Sequence, residues 1–341
     1  MLEFGVICDF RNPAPWRIPW DHLYRENLEL LQEAERLGLD SAWISEHHFL
    51  DDGYCPSVLT VAAALAARTS RIRIGTAVLL LPLHNPVRVA EDAAVVDLIS
   101  GGRLDVGVGV GYRSAEFRGL GADKRRRGKL LDEGIEVLRR AWTEESFSFA
   151  GECYHYEDVT VTPKPLQKPH PPIWIGGRSE RGSRRGARLG YPFLLVGGPA
   201  QYRELRQLFV EEGRSPDDLR LAAARTIFIA DSRDAAWETI GLQLLYNHNE
   251  RLRWNAEDGD GRYEPATDWD ELRSQEGAGA LIGTPEDCLA GIRDFVATVP
   301  VRQIWFPIRI GGTDQATAYR SLERFAREVM PAARQLGPAR V

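Results

Sequence analysis

Several protein classes are argued against by what this chain lacks. Its only cysteines, Cys8, Cys55, Cys153 and Cys288, stand far apart, with no Cys-x-x-Cys pair and no interleaved His/Cys spacing. A disulfide framework and a structural zinc module are therefore not expected. Basic residues are not in excess: 43 lysines and arginines face 49 acids, a formal net charge of −6. That balance offers no broad basic face, so neither nucleic acid nor an anionic membrane is the expected partner, and a small-molecule substrate is. No window approaches the roughly 18 consecutive apolar residues of a membrane span. The chain opens directly on the strand-like FGVICDF, without a basic stretch and an apolar one before it. On those grounds a cytoplasmic soluble protein is expected.

What is present is a regular alternation. Among 341 residues, 43% are apolar, enough for a large core in one big domain or two ordinary ones. Strand-like runs fall at Phe4 to Cys8, Ala42 to Ser45, Ile72 to Leu80, Leu104 to Val108, Ile173 to Ile175, Phe193 to Val196, Thr226 to Ile229 and Gln303 to Ile308. Most are continuous Val/Ile/Leu runs, the signature of parallel strands covered on both faces. Between them lie helical stripes such as Leu31, Ala34 and Leu37, or Leu131, Ile135, Leu138 and Trp142. Eight strands with intervening helices predict an α/β protein of the (β/α)8 TIM-barrel type, with an open doubly wound sheet as the alternative. Two stretches exceed ordinary connections. Residues 147–172 read as a hairpin and a proline-rich strap after strand 4. Residues 247–279 are polar, with Trp254, Tyr263 and Trp269 scattered through them, and read as a lid or as a surface excursion before strand 8. The expected organisation is a single barrel domain over 1–335, with an insertion at about 247–282 and a tail at 336–341.

Three clusters carry chemistry. SEHHF, Ser45 to Phe49, falls at the C-terminal end of the second strand, the edge where barrel active sites lie. Neighbours on an extended segment point to opposite faces, so His47 and His48 would not readily chelate one ion and no metal is expected. Acid/base or hydrogen-bonding work suits an imidazole, and satisfied polar residues are the plainer alternative. LDVGVGVGYRSAEF, Leu104 to Phe117, has alternate glycines that allow close backbone approach to a flat ligand or tight packing at a strand end. Tyr112 stands where a dinucleotide fingerprint would have its last glycine. Glu116 is a second acid/base candidate. In PPIWIGGRSERGSRRGARLG, Pro171 to Gly190, a strand and Gly-Gly lead into Arg178 and Ser179 opening a helix, a phosphate-cradle pattern. Arg181, Arg184 and Arg185 in its first turns oppose the helix dipole unless an anion is bound, or else form a solvated basic face. KRRRGK, Lys124 to Lys129, is read as such a solvated face.

Together WISEHHF, IGTAVLLLPLHNPVRVAEDAAVVDLISGGRLDVGVG, PPIWIGG and GTPEDCLAGIRDF resemble the bacterial luciferase-like monooxygenase family over nearly the whole chain. The resemblance implies a flavin-dependent oxidoreductase on a (β/α)8 barrel. It implies His47 as the catalytic histidine, with His48 and Glu46 nearby, and a non-prolyl cis peptide between Ala77 and Val78 beneath the flavin ring. The cofactor would be lined by Gly109, Val110 and Gly176, with its phosphate around Gly177, Arg178 and Ser179. The sequence departs from luciferase in Val110, aligned with an arginine there, and in Arg178, aligned with a glutamate. One branch of the family takes reduced FMN as cosubstrate from a separate flavin reductase and oxidises organic substrates through a flavin hydroperoxide. The other transfers hydride with an 8-hydroxy-5-deazaflavin coenzyme; there a glutamate aligning near Glu116 donates the proton, and a histidine aligning with His48 assists. The double histidine and VLLLP look more like the oxygen-using branch. Ile227, read on the seventh strand where the alkanesulfonate enzymes carry a histidine, disfavours that substrate class. A non-catalytic flavin-binding subunit is the alternative from another class. Members of the family commonly dimerise through helices near the second and third strands, so a homodimer is expected.

Overall fold

The computed structural model describes residues 1–259, 262–276 and 281–337. Twelve strands are numbered in chain order: β1 (Glu3–Cys8), β2 (Ser41–Ile44), β3 (Arg73–Thr76), β4 (Leu104–Val108), β5 (Phe147–Ala150), β6 (His155–Val159), β7 (Ile173–Gly176), β8 (Phe193–Leu195), β9 (Leu221–Ala224), β10 (Ile227–Ile229), β11 (Leu281–Gly283) and β12 (Gln303–Pro307). Eight of them close a parallel barrel in the order β1, β2, β3, β4, β7, β8, β9, β12. Val6 pairs with Ala42, Ile44 with Thr76 and Val106 with Ile173, and β12 returns to β1 with Phe306 opposite Val6. The (β/α)8 barrel expected from the alternation is therefore the fold.

Alternation along each strand sorts side chains between two cores. Outward-facing Phe4, Val6 and Cys8 join the helices in the larger core, including Leu31, Ala34, Leu131, Ile135, Leu138 and Trp142 from the stripes seen in the sequence. Inside the barrel, Trp43, Trp174 and Trp305 pack with Leu194 and Ala222. Trp43 and Trp305 stack at 3.7 Å between centroids. Two glycines make room for them: a Cβ at Gly75 would lie 2.1 Å from Trp43, and one at Gly5 2.8 Å from Trp305.

The tryptophan-filled interior explains one misassignment. The seventh barrel strand is β9, LAAA, and not the Ile227 segment. Alanine is a weak strand former, but Ala222 must be small because it faces the tryptophans. Ile227–Ile229 instead pairs with Leu281–Gly283 in a separate two-stranded sheet. The argument against alkanesulfonates from Ile227 on the seventh strand therefore falls. The run expected from Ile72 to Leu80 also stops early, at Thr76, where the chain turns through a cis Ala77–Val78 peptide.

Both insertions are built. After β4, β5 and β6 form the antiparallel hairpin. Before β12, the insertion begins sooner than residue 247 and is largely helical: β10, a 25-residue helix Arg233–Glu257, the helix Trp269–Glu276, then β11 and the helix Pro285–Thr298. It has its own small core of Phe228, Trp237, Ile240, Leu244, Leu272 and Ile282. Residues 260–261 and 277–280 of the expected insertion and 338–341 of the expected tail lie outside the described residues. Among the described residues, no helix is long and apolar enough to cross a membrane.

Candidate active site

The C-terminal edge of the barrel gathers SEHHF, the turn after β3, the short helix Ser114–Gly119 after β4 and the long insertion helix. His47 and His48 point apart, as neighbours on an extended segment should. His48 Nε2 lies 2.9 Å from Glu46 Oε1, and His84 Nε2 lies 2.6 Å from the same oxygen. Leu80 N–H donates to Glu46 Oε2 at 2.6 Å. Burial would raise the Glu46 carboxyl, but the bonds from His48, His84 and Leu80 outweigh it and hold the pKa down at about 2. Burial works to lower His84, yet its bond to Glu46 leaves its pKa raised.

His47 turns the other way. Its Nδ1 lies 2.8 Å from Glu116 Oε1, which also accepts from His48 N–H at 3.0 Å. Glu116 is fully buried, not the exposed loop acid that its surroundings in sequence suggest. Arg113 secures the corner: Nη1 donates to His48 O at 2.8 Å and lies 3.5 Å from Glu116 Oε1. Glu116 Oε2 has no hydrogen-bond partner among the described residues. Tyr54, Tyr112 and Trp254 ring His47, at centroid distances of 4.7, 5.7 and 5.7 Å. The resulting chain sets an imidazole against a buried carboxylate inside an aromatic wall, groups that can hold or pass a proton.

Glu46, His48 and His84 also bring three possible ligand atoms within 4.8 Å of one another. The third member comes from the turn PLHNP, which the reasoning from adjacent histidines did not reach. In the structure these atoms are hydrogen-bonded to one another.

On the cofactor side, the glycines of GVGVG meet protein. A Cβ at Gly107 would lie 2.0 Å from Thr76 O, and Cβ atoms at Gly109 and Gly176 would lie 2.6 and 2.5 Å from the two methyls of Val78. Close packing of the segment after β3 thus accounts for these glycines, and Val110 is half-buried against the main core. Gly177, just past the end of β7, packs against Gly182 of the helix Glu180–Leu189. Ser179 caps that helix, its hydroxyl accepting from Gly182 N–H at 3.3 Å. Gln201, absent from the sequence reading, donates to Gly177 O at 2.7 Å and accepts from Gly197 N–H at 2.7 Å, tying the ends of β7 and β8 together. The basic helix face divides. Arg184 pairs with Glu180 and Glu211, while Arg185 and Arg188 share Asp132. Their charge therefore needs no phosphate to explain it. Arg178 and Arg181 are exposed and make no ion pair among the described residues. The KRRRGK run is likewise engaged, Lys124 with Asp258 and Lys129 with Glu152.

Sequence reasoning also missed Arg11, which follows β1 at the active edge. Its Nε is 2.6 Å from Asp52 Oδ2, and its Nη1 bonds Asn247 Oδ1. Its guanidinium faces Trp254, Tyr246 and Tyr54. The usable signal was position, a charged residue just past a barrel strand. Among the tryptophans Trp16 and Trp20 after β1 and Trp254 and Trp269 in the insertion, Trp254 reaches His47. Trp16 sets its edge on Tyr246, Trp20 covers Gly53, and Trp269 stacks on Trp237. Phe10 and Phe49, both on this edge, hold left-handed backbone at φ 59° and 57°. Such conformations cost on the order of 1–3 kcal/mol each and concentrate at functional sites.

A closed parallel barrel with its polar groups gathered at the C-terminal edge, an insertion helix over them and a buried His–Glu pair has the layout of a (β/α)8 barrel enzyme. Residues 2–302 match the model of the luciferase-like monooxygenase family, and the chain belongs to that family. It is 28% identical to the FMNH2-dependent dimethylsulfone monooxygenase of Pseudomonas putida, over 94% of this chain and 90% of that one. It is 30% identical to an F420-dependent glucose-6-phosphate dehydrogenase of Amycolatopsis mediterranei, over 66% of each. Among solved structures, the monooxygenase RslO1 from Streptomyces bottropensis superposes with a TM-score of 0.84 at 27% identity, covering 97% of this chain and 99% of that one. The protein is thus an oxidoreductase of the luciferase-like class, whose relatives work with reduced flavin or with F420.

Proposed function

We propose that the chain is the oxygenase component of a two-component monooxygenase, which receives reduced FMN from a separate reductase and oxidises a small organic substrate. The observation that carries this reading is His47 itself, bonded to buried Glu116 and walled by Tyr54, Tyr112 and Trp254. Oxygen chemistry needs a site that holds a proton and excludes water, and this wall suits both. The residues present fit reduced FMN. Ala77 and Val78, just past β3 and packed over the barrel's interior tryptophans, offer a small apolar platform, and the helix N-terminus at Ser179 has two arginines, Arg178 and Arg181, that make no ion pair among the described residues and could meet a phosphate. When bound, reduced FMN supplies the electrons that activate oxygen. The protein's part is positional. Glu116 engages Nδ1 of His47, which leaves Nε2 to hold or release a proton. Arg113 fixes both His48 and Glu116, and the Glu46 network anchors the strand end.

One observation favours the second reading, hydride transfer with the deazaflavin coenzyme: Glu116 keeps a buried oxygen, Oε2, without a partner and next to His47. Anaerobic titration with reduced FMN and with the reduced deazaflavin, followed by mixing with oxygenated buffer, separates the two. The expected outcome is tight FMN binding, an oxygen-dependent flavin absorbance that persists, and a His47→Ala variant roughly 100-fold or more slower. Preference for the deazaflavin with no oxygen response selects the second reading. Wild-type rates in His47→Ala overturn the role given to that residue. We also propose a homodimer, supported by the exposed apolar stripe Val95, Leu98 and Ile99 on the helix Pro86–Ser100 beside β3.

A further inference from the structure

The ion pair between Arg11 and Asp52 is half made. Nε and Nη2 form the guanidinium edge that a carboxylate grips with two parallel bonds. Here Nε meets Oδ2 at 2.6 Å, while Nη2 and Oδ1, both buried, have no hydrogen-bond partner among the described residues. The remaining nitrogen, Nη1, is occupied by Asn247. Arg11 and Asp52 are only 6% and 3% exposed, a depth at which polar atoms ordinarily find partners. Three rings surround the pair: Trp254, Tyr246 and Tyr54 lie 5.0, 5.6 and 5.9 Å from the guanidinium carbon. A guanidinium lying closely on a ring sits nearer, as Arg225 does over Phe295 at 3.7 Å. The indole N–H of Trp254 is unpartnered as well. Tyr54 and Trp254 are also two of the rings that wall His47, so the open fork and the proton-handling pair share one aromatic enclosure.

We propose that this fork is the substrate's recognition point and that it takes a neutral hydroxyl on a planar aromatic ring, a phenol. The hydroxyl oxygen accepts from Arg11 Nη2 and its proton is donated to Asp52 Oδ1, so the ligand closes the fork while its ring packs among Tyr54, Tyr246 and Trp254. A hydroxyl is donor and acceptor in one atom, which matches one orphan of each kind. A carboxylate matches only the donors. It would also add a negative charge where Arg11 is already neutralised by Asp52, where Asp9 accepts from Arg11 N–H at 3.1 Å, and where Arg113, over the Trp254 ring, belongs to Glu116. An unsubstituted ring leaves both orphans buried and unpaired. The insertion helix carries Tyr246, Asn247 and Trp254, so it supplies much of the enclosure.

The inference rests on reading this edge as the substrate site of a flavin-dependent oxidoreductase, and its test uses neither oxygen nor turnover. The full chain is titrated with phenol, anisole, benzoate and toluene by calorimetry, with and without FMN. Phenol is expected to bind at least about tenfold tighter than each of the other three. In the double variant Arg11→Met/Asp52→Leu, which removes the charge pair together, the preference over toluene is expected to disappear. A wild-type preference below tenfold, benzoate binding as tightly as phenol, or a preference that survives in the folded double variant overturns the proposal. If the double variant does not fold, the wild-type series decides alone. An enzyme that binds phenol selectively but shows no oxygen chemistry with reduced FMN fails the monooxygenase reading only; oxygen chemistry without phenol selectivity fails this inference only.

Discussion

At the residue scale, Glu46 is the group whose protonation matters most to the architecture of the site. Its depressed pKa, about 2 against an ordinary value of 4.5, corresponds to stabilisation on the order of 3 kcal/mol, present above the unfolded carboxylate's pKa and lost as pH falls toward 2. His84 works in the opposite sense. Its folded pKa is raised above 6.5, so its contribution is fully present below that value and is lost as pH rises through the folded pKa. Together they predict a stability bonus greatest between about pH 4.5 and 6.5. Denaturant melts of wild type and His84→Gln across pH 3 to 9 should differ most in that window and converge on its alkaline side; a pH-independent gap would show that His84 acts by packing alone. Val78 supplies a second residue-scale prediction. Because its methyls occupy the space of the missing side chains at Gly109 and Gly176, Gly109→Ala should cost about 1–3 kcal/mol by overpacking, and Val78→Ala in the same chain should recover much of it. Additive losses in that double variant, measured by chemical unfolding, would place the cost elsewhere.

At the scale of elements, the helix Arg233–Glu257 joins the insertion to the barrel's C-terminal edge through the ring contacts of Tyr246 and Trp254 and through two hydrogen-bonded ties. Asn247 meets Arg11, and Asp258, just past its end, accepts from Ser114 N–H and Lys124 Nζ, each at 2.7 Å. Asp258→Ala should release the second tie, at a cost of about 1–3 kcal/mol locally. Amide exchange in residues 247–257 is then expected to quicken, and with it the wasteful oxidation of reduced flavin; unchanged exchange would mean the helix is held by its apolar face. Elements also show what the sequence made legible. Continuous apolar strands and helical stripes announced the barrel, and the position of SEHHF past β2 announced its place at the barrel's C-terminal edge. β9 was missed because the interior tryptophans demand alanine where strand propensity looks for branched residues. His84 and Arg11 were missed because their partners lie far off in sequence, Glu46 38 residues from His84 and Asp52 41 from Arg11, and Arg113 because the His48 carbonyl it holds is 65 residues away. The long helix was read as loop because its stripe is diluted. Only part of it, through Ala236, Trp237, Ile240 and Leu244, meets the insertion's core, while Tyr246 and Trp254 serve the site.

At the scale of the whole molecule, the barrel leaves one helix incompletely covered. On Pro86–Ser100 the inner face is buried through Val89, Ala90, Ala93 and Ala94, yet Val95, Leu98 and Ile99 are 43%, 41% and 48% exposed. Positions i, i+3 and i+4 form a stripe, not a scatter, and Leu166, exposed too, reaches the end of the same helix over Gly102. Burying a stripe of large aliphatic side chains is worth about 1.5–3 kcal/mol for each one fully covered, and a twofold contact counts every residue twice. Charge does not oppose this pairing strongly, since the net charge of −6 is spread over 341 residues and is screened at physiological salt. The prediction is a dimer for the wild type in light scattering at micromolar concentration, and a monomer for Leu98→Glu/Ile99→Lys. That pair of changes introduces opposite charges and leaves the buried face of the helix untouched, so the monomer should keep its fold and its flavin affinity. A wild type that runs as a monomer, or a double variant that still dimerises, would move the interface off this helix. A variant that is monomeric and binds flavin normally would show that each barrel completes its own site, as expected when His47, Glu116, Arg11 and Trp254 all come from one chain.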